Sequence, residues 1–171
     1  MWSDADWAGD PEDTKSTSGL LLEFTNPRNG RRWPISWSVK RQRSTSSSTA
    51  ETETVALCHA VKHEGLPTLI LLDAFFADAR RPVELVGKVD NTQAITAVHK
   101  GYSKKLKLLE RTHRCAIGSV HELIESGQLC VEYSLTLEHR GDGFTKCFSP
   151  PSKFIEAGNM MSMILTGSVV V

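Results

Sequence analysis

Four acidic residues stand where predicted secondary-structure elements begin or end: Asp4, Glu53, Asp90 and Asp142. Carboxylates that approach one another repel unless protons or cations neutralise them. Oxygen ligands in this number suit a hard cation such as Mg²⁺ or Mn²⁺ rather than zinc, and a pair of such ions about 3.5–4 Å apart is a common arrangement for in-line phosphoryl transfer. If folding brings the four acids together, they favour metal-dependent phosphodiester chemistry; otherwise they are solvated surface acids.

The elements that would position these acids follow from the hydrophobic pattern. Short apolar runs on both sides of a polar turn at 26–30 predict a hairpin of two strands. A polar segment then leads into a helix, with Thr49 as the predicted N-cap and helical apolar spacing to about Ala79. Pro67 lies inside this helix, so we expect a kink or a division into two helices.

The second half of the chain alternates strands with helices. A strand ends at Asp90, a short helix covers 92–100, and a longer helix covers 104–127, where Gly127 ends it. Another strand covers 128–135, and a last helical stretch follows Asp142. Strands first, then strands alternating with helices, predict a mixed sheet with helices on its faces.

Length and composition narrow the class of protein. The chain has 171 residues, 40% of them hydrophobic, which suits one globular domain. Its 20 basic and 20 acidic side chains cancel, so bulk charge attracts neither nucleic acid nor membrane. Four widely separated cysteines are expected to be reduced thiols: Cys58, Cys115, Cys130 and Cys147. No segment has the pattern of a secretory signal or a membrane span, so we expect a soluble protein without a membrane partner.

Five sequence blocks carry a family resemblance: WSDADWAGDPEDTKSTSG, PISWSVKRQRSTSSSTAETETVAL, VDNTQAI, ERTHRCAIGSVHELIESGQLCVEY and HRGDGFTK. In this order they resemble the ribonuclease H domain of copia-type LTR retrotransposon Pol polyproteins. The resemblance implies an α/β, ribonuclease H-like three-layer fold, with a mixed five-stranded sheet and helices on both faces. It divides the chain into a ribonuclease H-like domain over 1–148 and a C-terminal tail over 149–171, partly helical or disordered.

The resemblance also assigns roles to the four acids. It makes Asp4, Glu53, Asp90 and Asp142 the catalytic, metal-binding residues of an enzyme that hydrolyses the RNA strand of an RNA–DNA hybrid with two Mg²⁺ (or Mn²⁺) ions. Asp4 would bridge both ions, Asp142 would complete the ion that activates water, and Glu53 and Asp90 would hold the ion at the leaving 3′ oxygen. The products would carry a 5′-phosphate and a 3′-hydroxyl.

Two neighbouring acids are alternatives for the first two positions. Asp6 lies two residues after Asp4, and Glu51 lies two residues before Glu53. We prefer Asp4 because it falls in mid-strand before the turn, and Glu53 because it directly precedes the apolar face of the helix.

Candidate nucleic-acid contacts occur in two parts of the chain. Ser48, Thr49 and Asn91 are candidates for contacts to 2′-hydroxyl groups of the RNA strand, with helix capping as the alternative role. The segment 100–114 is rich in Lys and Arg, which on one helix face would bind phosphates; a solvated helix face is the alternative. Within it the predicted nucleic-acid-binding residues are Lys104, Lys105 and Lys107.

Three histidines are further candidates for a role in chemistry. His139, three residues before Asp142, is a possible proton shuttle at the metal site. His59 and His63 have the four-residue spacing of a helical zinc pair, but the glutamate of the H-E-x-x-H motif is absent and we assign them no metal.

The resemblance further implies a reverse transcriptase domain upstream and an intracellular location, in cytoplasmic virus-like particles or in the nucleus. A chain that starts at Met1 is then expected to have lost its upstream neighbour and part of its first, central strand. Two alternatives remain open. One is a catalytically silent ribonuclease H-like remnant or nucleic-acid-binding module, and the other is another nuclease or integrase of the same fold.

Overall fold

The computed structural model of the protein describes residues 1–77, 83–146 and 151–161. The strands are β1 (Trp2–Ala5), β2 (Thr17–Thr25), β3 (Arg32–Arg41), β4 (Leu85–Val89) and β5 (Leu129–Tyr133). The α-helices are α1 (Thr49–Ala60), α2 (Leu66–Phe75), α3 (Thr92–Lys100), α4 (Leu109–His113), α5 (Ile117–Glu125) and α6 (Pro151–Met160). Short 3₁₀ turns cover Lys104–Leu106, Thr136–Glu138 and Arg140–Phe144.

The described strands form one mixed sheet in the order β3-β2-β1-β4-β5. Antiparallel pairing joins β1 to β2 and β2 to β3, whereas β1, β4 and β5 run parallel. The expected α/β fold with a mixed five-stranded sheet is therefore confirmed, and β1 is its central strand.

The predicted hairpin is the β2–β3 pair. Side-chain oxygens of Asn26 and Asn29 accept the backbone amides of Arg28 at 2.9 Å and Arg31 at 3.0 Å. Gly30 adopts a φ of +67°, a left-handed conformation that glycine enters without a steric penalty. Local turn chemistry thus explains why this connection was readable from the sequence.

The helix after the hairpin differs from its prediction at its N-cap and agrees with it at Pro67. Its N-cap is Ser48 rather than Thr49, since the Ser48 hydroxyl accepts the amide of Glu51 at 3.3 Å. The expected division at Pro67 is observed, since α1 ends at Ala60, a π-helical turn covers Val61–Gly65, and Pro67 lies in the first turn of α2. A proline ring clashes with the carbonyl one α-turn earlier, and the wider turn separates these groups. The helical stretch ends at Phe75, and residues 78–82 lie outside the described residues.

The predicted long helix over 104–127 is wrong. The segment forms a 3₁₀ turn, α4 and α5, and the break after α4 comes at Arg114, whose φ is +55°. Ser44 donates a hydrogen bond to the carbonyl of Thr112 at 2.8 Å, tying α4 to the polar segment before α1. Gly127 follows α5 with a φ of +73°, as expected for a residue that ends a helix.

Helices cover one face of the sheet, and the C-terminal part of the chain covers the other. On the first face, fully buried Leu57, Val61, Val98 and Val120 from α1, the π turn, α3 and α5 join Val89 of β4 in the core. On the second face, the turn Arg140–Phe144 packs against β1 and β2, and α6 packs against that turn. The expectation of helices on both faces is confirmed.

Three other expectations concern the cysteines, the C-terminal tail and membrane-spanning helices. Cys58 and Cys115 are buried free thiols and Cys130 is an exposed one, while Cys147 lies outside the described residues. Helix α6 falls in the predicted tail; residues 147–150 and 162–171 are not described, and the boundary at 148 stays a prediction. In the described ranges, each helix is too short or too polar to cross a lipid bilayer.

Candidate metal-dependent active site

Parallel pairing of β1 with β4 brings two of the four acids to one end of the sheet. Trp2 is in register with Lys88, so Asp4 and Asp90, each two residues further along, lie beside each other. Carboxyl ends of parallel strands are where sites form in α/β sheets. Glu53 reaches the same place from the second turn of α1, which packs on β1.

The fourth acid, Asp142, arrives from the opposite face of the sheet on the turn Arg140–Phe144. This turn can approach because Gly19 of β2 lies in register with Asp4 and has no side chain. A Cβ atom at position 19 would lie 2.8 Å from both Phe144 Cβ and Thr145 Cγ2. Gly19 therefore permits the close contact that places Asp142 beside the other acids.

These side chains form two groups that share one carboxylate. Asp4, Glu53 and Asp90 each offer an oxygen within 4.8 Å of the others, and Asp4, His139 and Asp142 do the same with two oxygens and a ring nitrogen. The structure thus brings together all four predicted acids, with Asp4 common to both groups.

Glu53 is buried, 3% exposed, and is held by the main chain. Its Oε1 accepts the backbone amide of Ala5 at 3.4 Å, while its Oε2 is buried without a hydrogen-bond partner. Burial, together with the nearby charges of Asp4 and Asp90, raises the pKa of Glu53 from 4.5 to about 9. Without a cation this carboxyl therefore holds a proton at neutral pH.

Asp4 is buried as well and receives a hydrogen bond from the hydroxyl of Thr145. Burial raises the pKa of Asp4, and the Thr145 hydrogen bond acts in the opposite direction. Two neighbouring carboxyl groups with raised pKa values form a place where a cation would be stabilising.

Asp142 is paired with a cation supplied by the chain itself. The ammonium group of Lys146, one helical turn further on, donates to Asp142 Oδ2, while Oδ1 is buried without a hydrogen-bond partner. Burial favours the neutral acid, but His139 and Lys146 outweigh it and lower the pKa of Asp142 below its usual range. Lys146 also faces the charges of Asp4 and Asp90, which help to raise its own pKa against the effect of burial.

His139 is 1% exposed and packed edge-on against Trp2, with 5.7 Å between the ring centroids. Its Nε2 lies 3.2 Å from the carbonyl of Lys88, and its Nδ1 lies 3.5 Å from Asp142 Oδ1. Burial opposes its protonation, but Asp142, Asp4 and Asp90 raise the pKa of His139. The proton-shuttle role stays a prediction, and this burial favours a role in positioning Asp142.

The two alternative acids have other partners. Asp6 accepts the backbone amide of Thr17 at the start of β2. Glu51 accepts the amide of Ser47 at 2.8 Å and its hydroxyl at 2.6 Å, and lies 3.8 Å from His113 Nε2. Both stabilise local structure, and among the described side chains neither belongs to the two carboxylate groups.

Some of the predicted nucleic-acid contacts lie near this site. Asn91 directly follows Asp90, and its side-chain oxygen accepts the amides of Gln93 and Ala94, each at 3.0 Å, as the N-cap of α3. Ser48 caps α1 in the same way, and Thr49 is exposed at its first position. The capping role offered as the alternative is therefore observed for Ser48 and Asn91, and contacts to RNA stay a prediction.

The predicted basic helix face does not exist. Lys104 and Lys105 lie in a 3₁₀ turn and Lys107 follows it, all three exposed and separate from α4 and α5. Lys104, Tyr102 and Ser103 line two surface pockets, one of which includes Lys107 and the other Lys105. Phosphate binding by these lysines stays a prediction.

The site also contains two residues to which the sequence reasoning gave no role, Thr145 and Lys146. Both belong to the block HRGDGFTK, whose aspartate alone was singled out. Their spacing of three and four residues from Asp142 was the available signal, because such residues lie on the same side of a helical turn.

Comparisons with known proteins give partial similarity. The chain matches no model of a known protein family. It is 44% identical over 61 residues to the secreted RxLR effector protein 161 of Plasmopara viticola, which is 36% of this chain and 39% of that protein. It is 42% identical over 52 residues to the retrovirus-related Pol polyproteins from transposons RE1 and RE2 of Arabidopsis thaliana. That segment is 30% of this chain and 3% of each polyprotein.

Among solved structures, the chain is similar to LC11-RNase H1, crystallised in complex with an RNA/DNA hybrid. The TM-score is 0.49 and the sequence identity 14%, over 84% of this chain and 90% of that one.

Proposed function

We propose that the protein is a metal-dependent ribonuclease H that hydrolyses the RNA strand of RNA–DNA hybrids. The observation that carries the proposal is the position of Asp4 between two groups, one with Glu53 and Asp90 and the other with Asp142 and His139. Two adjacent cation sites that share a carboxylate are the arrangement that two-metal phosphodiester cleavage requires.

The residues present fit hard divalent cations. Asp4, Glu53 and Asp90 each place one carboxylate oxygen within 4.8 Å of the others at the end of two central strands, and carboxylate oxygens are preferred by Mg²⁺ and Mn²⁺. Buried Glu53 Oε2 and Asp142 Oδ1 lack hydrogen-bond partners among the described residues. A buried carboxylate oxygen without a partner is costly unless a proton or cation neutralises it.

Each residue has a proposed part. Asp4 would serve both ions, Glu53 and Asp90 one of them, and Asp142 the other. When bound, the ions would activate water and stabilise charge on the phosphate and the leaving oxygen. Thr145 keeps Asp4 oriented through its hydroxyl, and His139 holds the turn that carries Asp142 against Lys88.

A role in retrotransposon replication is part of the proposal. The similarity to two retrovirus-related Pol polyproteins supports it. In that setting the hybrid would come from reverse transcription by a neighbouring reverse transcriptase domain. The protein would then act inside the cell, in cytoplasmic virus-like particles or in the nucleus.

A catalytically silent module that binds nucleic acid is the second candidate. One observation favours it: the Lys146 ammonium already contacts Asp142, so the chain supplies a cation where the enzyme would hold a metal ion. In this case the carboxylate groups would be a remnant of an ancestral site.

A cleavage assay on three kinds of nucleic-acid duplex distinguishes the ribonuclease H from the silent module. The full chain is incubated in Mg²⁺ with end-labelled RNA–DNA hybrid, double-stranded RNA and double-stranded DNA, and each reaction is repeated in EDTA. The enzyme should cut only the RNA of the hybrid, leave 5′-phosphate and 3′-hydroxyl ends, and stop in EDTA. Cleavage of DNA would favour another nuclease or integrase, and a folded, inert protein would favour the silent module.

A further inference from the structure

A slot lies between β2 and β4 at the end of the sheet where β1 begins. The central strand β1 covers only Trp2–Ala5, whereas β2 continues past it to Thr25. On the other side, β4 begins at Leu85, three residues before the position that pairs with Trp2. Beyond Met1 the two strands therefore line a common cavity of about 560 Å³. We call this cavity, between residues 22–25 and residues 83–86, the strand slot.

The main chain of β2 faces the strand slot with open groups. Successive residues of a strand direct their amide and carbonyl groups to alternate sides. The carbonyl of Thr17 accepts a hydrogen bond from the residue after β1 at 3.0 Å, whereas Asn26 donates its amide to Arg31 on the β3 side at 2.9 Å. Glu23 and Thr25 therefore direct their amide and carbonyl groups into the slot, where no described residue pairs with them.

The main chain of β4 continues the same open pattern. The Met1 ammonium donates to the carbonyl of Val86 at 2.9 Å, and the Met1 carbonyl accepts the amide of Lys88 at 2.8 Å. By the same alternation, the amide of Val86 and the carbonyl of Glu84 face the slot, and among the described residues they have no strand partner on that side. These groups are positioned for a strand that runs parallel to β4 and antiparallel to β2.

The width of the strand slot suits one strand. Neighbouring strands in a sheet lie about 4.8 Å apart. Where β1 lies between β2 and β4, it sets their separation at two such steps. The same two strands form the walls of the slot, which continues the line of β1. A single extended chain can therefore contact both walls at once.

The helix side of the strand slot is apolar. Leu69 of α2, Phe24 of β2 and Leu85 of β4 line it, together with Phe76 after α2. The rings of Phe24 and Phe76 are stacked with centroids 6.2 Å apart, and Phe76 is 46% exposed. An exposed aromatic ring beside open main-chain groups is a surface that an apolar side chain would cover.

The charged side chains that line the strand slot are acidic. They are Glu23 and Glu84, and the described lining residues include no lysine or arginine. Glu23 is already bound by Arg140 and by the indole of Trp2, each at 2.7 Å, whereas Glu84 is exposed. A basic side chain beside Glu84 would therefore be favourable, and an acidic one unfavourable.

We propose that the strand slot binds an extended segment of another polypeptide as an additional strand. Strand addition gains affinity from main-chain hydrogen bonds and specificity from alternate side chains. Counted back from Met1 in both registers, the second docked residue lies between Phe24 and Leu85 on the apolar side, and the third lies beside Glu84. The segment is therefore apolar at its second and fourth positions and basic at its third. Met1 closes the inner end, so the segment ends or turns away there.

The first test measures binding of a defined probe. The peptide acetyl-KVKIT-amide has this pattern when its last residue lies next to Met1. A fluorescein-labelled form is titrated with the full chain in EDTA and followed by fluorescence anisotropy. The control peptide carries N-methyl isoleucine, which removes one main-chain donor and leaves each side chain unchanged. We expect saturable binding of the probe, and binding at least about fivefold weaker for the methylated peptide because a main-chain hydrogen bond is lost.

Hydrogen exchange followed by NMR tests where the probe binds. The probe should slow exchange of the slot-facing amides of Glu23, Thr25 and Val86 at least about tenfold. The amides of Leu22 and Phe24 face β3, so their exchange should change little.

A variant that fills the strand slot tests the same location. Thr68 of α2 lines the slot, and Thr68→Phe places a ring in it. Its matched control is Thr96→Phe, the same change at an exposed position of α3. Circular dichroism checks that both fold. The probe should bind Thr68→Phe at least about fivefold more weakly because the space is taken, and Thr96→Phe as tightly as the wild type. If Thr68→Phe does not fold, the methylated peptide on the wild type decides.

Three results would overturn the proposal: no saturable binding, equal binding of the two peptides, or unchanged exchange at the three slot-facing amides. Protection of these amides without peptide would also overturn it. Protection that grows with protein concentration would assign the strand slot to a second copy of the chain, and constant protection to a segment of the same chain. Because neither binding nor exchange needs a divalent metal or cleavage, failure of the proposed ribonuclease activity would leave these results unchanged.

Discussion

The side chain of Glu53 accepts the backbone amide of Ala5, the residue that follows Asp4 on the central strand, at 3.4 Å. This bond joins the second turn of α1 to β1 at the position where the carboxylates meet. The spacing of Glu53 and Asp4 is therefore set by the main chain of two core elements, and that of Asp4 and Asp90 by the parallel register of β1 and β4. Rigid elements of this kind hold a site more precisely than loops do.

Replacing Glu53 with Gln should stabilise the metal-free protein. The pKa of Glu53 is raised from 4.5 to about 9, so the folded state holds a proton that the unfolded chain releases above pH 4.5. The resulting loss of stability begins as pH rises through 4.5, grows until about pH 9, and is absent below 4.5. In EDTA near pH 7 the variant should be more stable by roughly 1–3 kcal/mol.

Thermal unfolding in EDTA at several pH values measures this difference. The melting temperatures of Glu53→Gln and the wild type should converge near pH 4.5 and separate as pH rises. Equal melting temperatures at all pH values would contradict the assignment of Glu53 as a buried, protonated carboxyl.

Replacing Gly19 with Ala should disturb the site without touching a carboxylate. The new Cβ would lie 2.8 Å from Phe144 Cβ and from Thr145 Cγ2, so the turn that carries Asp142 has to move. Overpacking of this kind costs about 1–3 kcal/mol, and we expect hybrid cleavage to fall at least about tenfold because misplaced catalytic groups lose rate steeply.

Urea unfolding and a cleavage assay on the same preparation check the Gly19 prediction. Gly118→Ala is the matched control, since its Cβ would meet nothing closer than a carbonyl oxygen at 3.9 Å. In α5 that change should be neutral or slightly stabilising. If both alanine variants behave alike, the close approach at Gly19 does not position Asp142.

Replacing Lys146 with Met should increase the effect of Mg²⁺ on stability. Lys146 competes with a divalent cation for Asp142, because its ammonium donates to the same carboxylate. The half-exposed ion pair itself contributes about 1 kcal/mol or less, so the variant should lose little stability in EDTA. Added Mg²⁺ should raise its melting temperature more than that of the wild type, as expected when a ligand binds the folded state more tightly. A smaller Mg²⁺ effect in the variant would show that Lys146 assists cation binding.

The sequence alone could predict those parts of the fold that local chemistry determines. The hairpin was readable because Asn26, Asn29 and Gly30 specify its turn. The four acids were singled out because each lies near the predicted start or end of an element, although Glu53 lies in the second turn of α1. The meeting of these acids depends on the pairing of β1 with β4, two strands far apart in the sequence, which local chemistry does not determine.

Other features were inaccessible for physical reasons. The apolar spacing over 104–127 continues through Arg114, so the left-handed residue that divides the segment left no hydrophobic signal. Pro67 predicted the division into two helices, but not the π turn over Val61–Gly65 that joins them.

The rate of RNA cleavage in a hybrid, measured in Mg²⁺ for the wild type, Asp90→Asn and Asp73→Asn, tests the central claim most directly. Asp73 is an exposed acid on α2, so its variant makes the same chemical change away from the carboxylate groups. The account predicts that the wild type and Asp73→Asn cut the RNA strand at equal rates, and that Asp90→Asn folds but loses activity by at least about 100-fold, as expected when a metal-holding carboxylate is removed. Equal cleavage by Asp90→Asn, or a folded wild type that cuts no RNA, would contradict it.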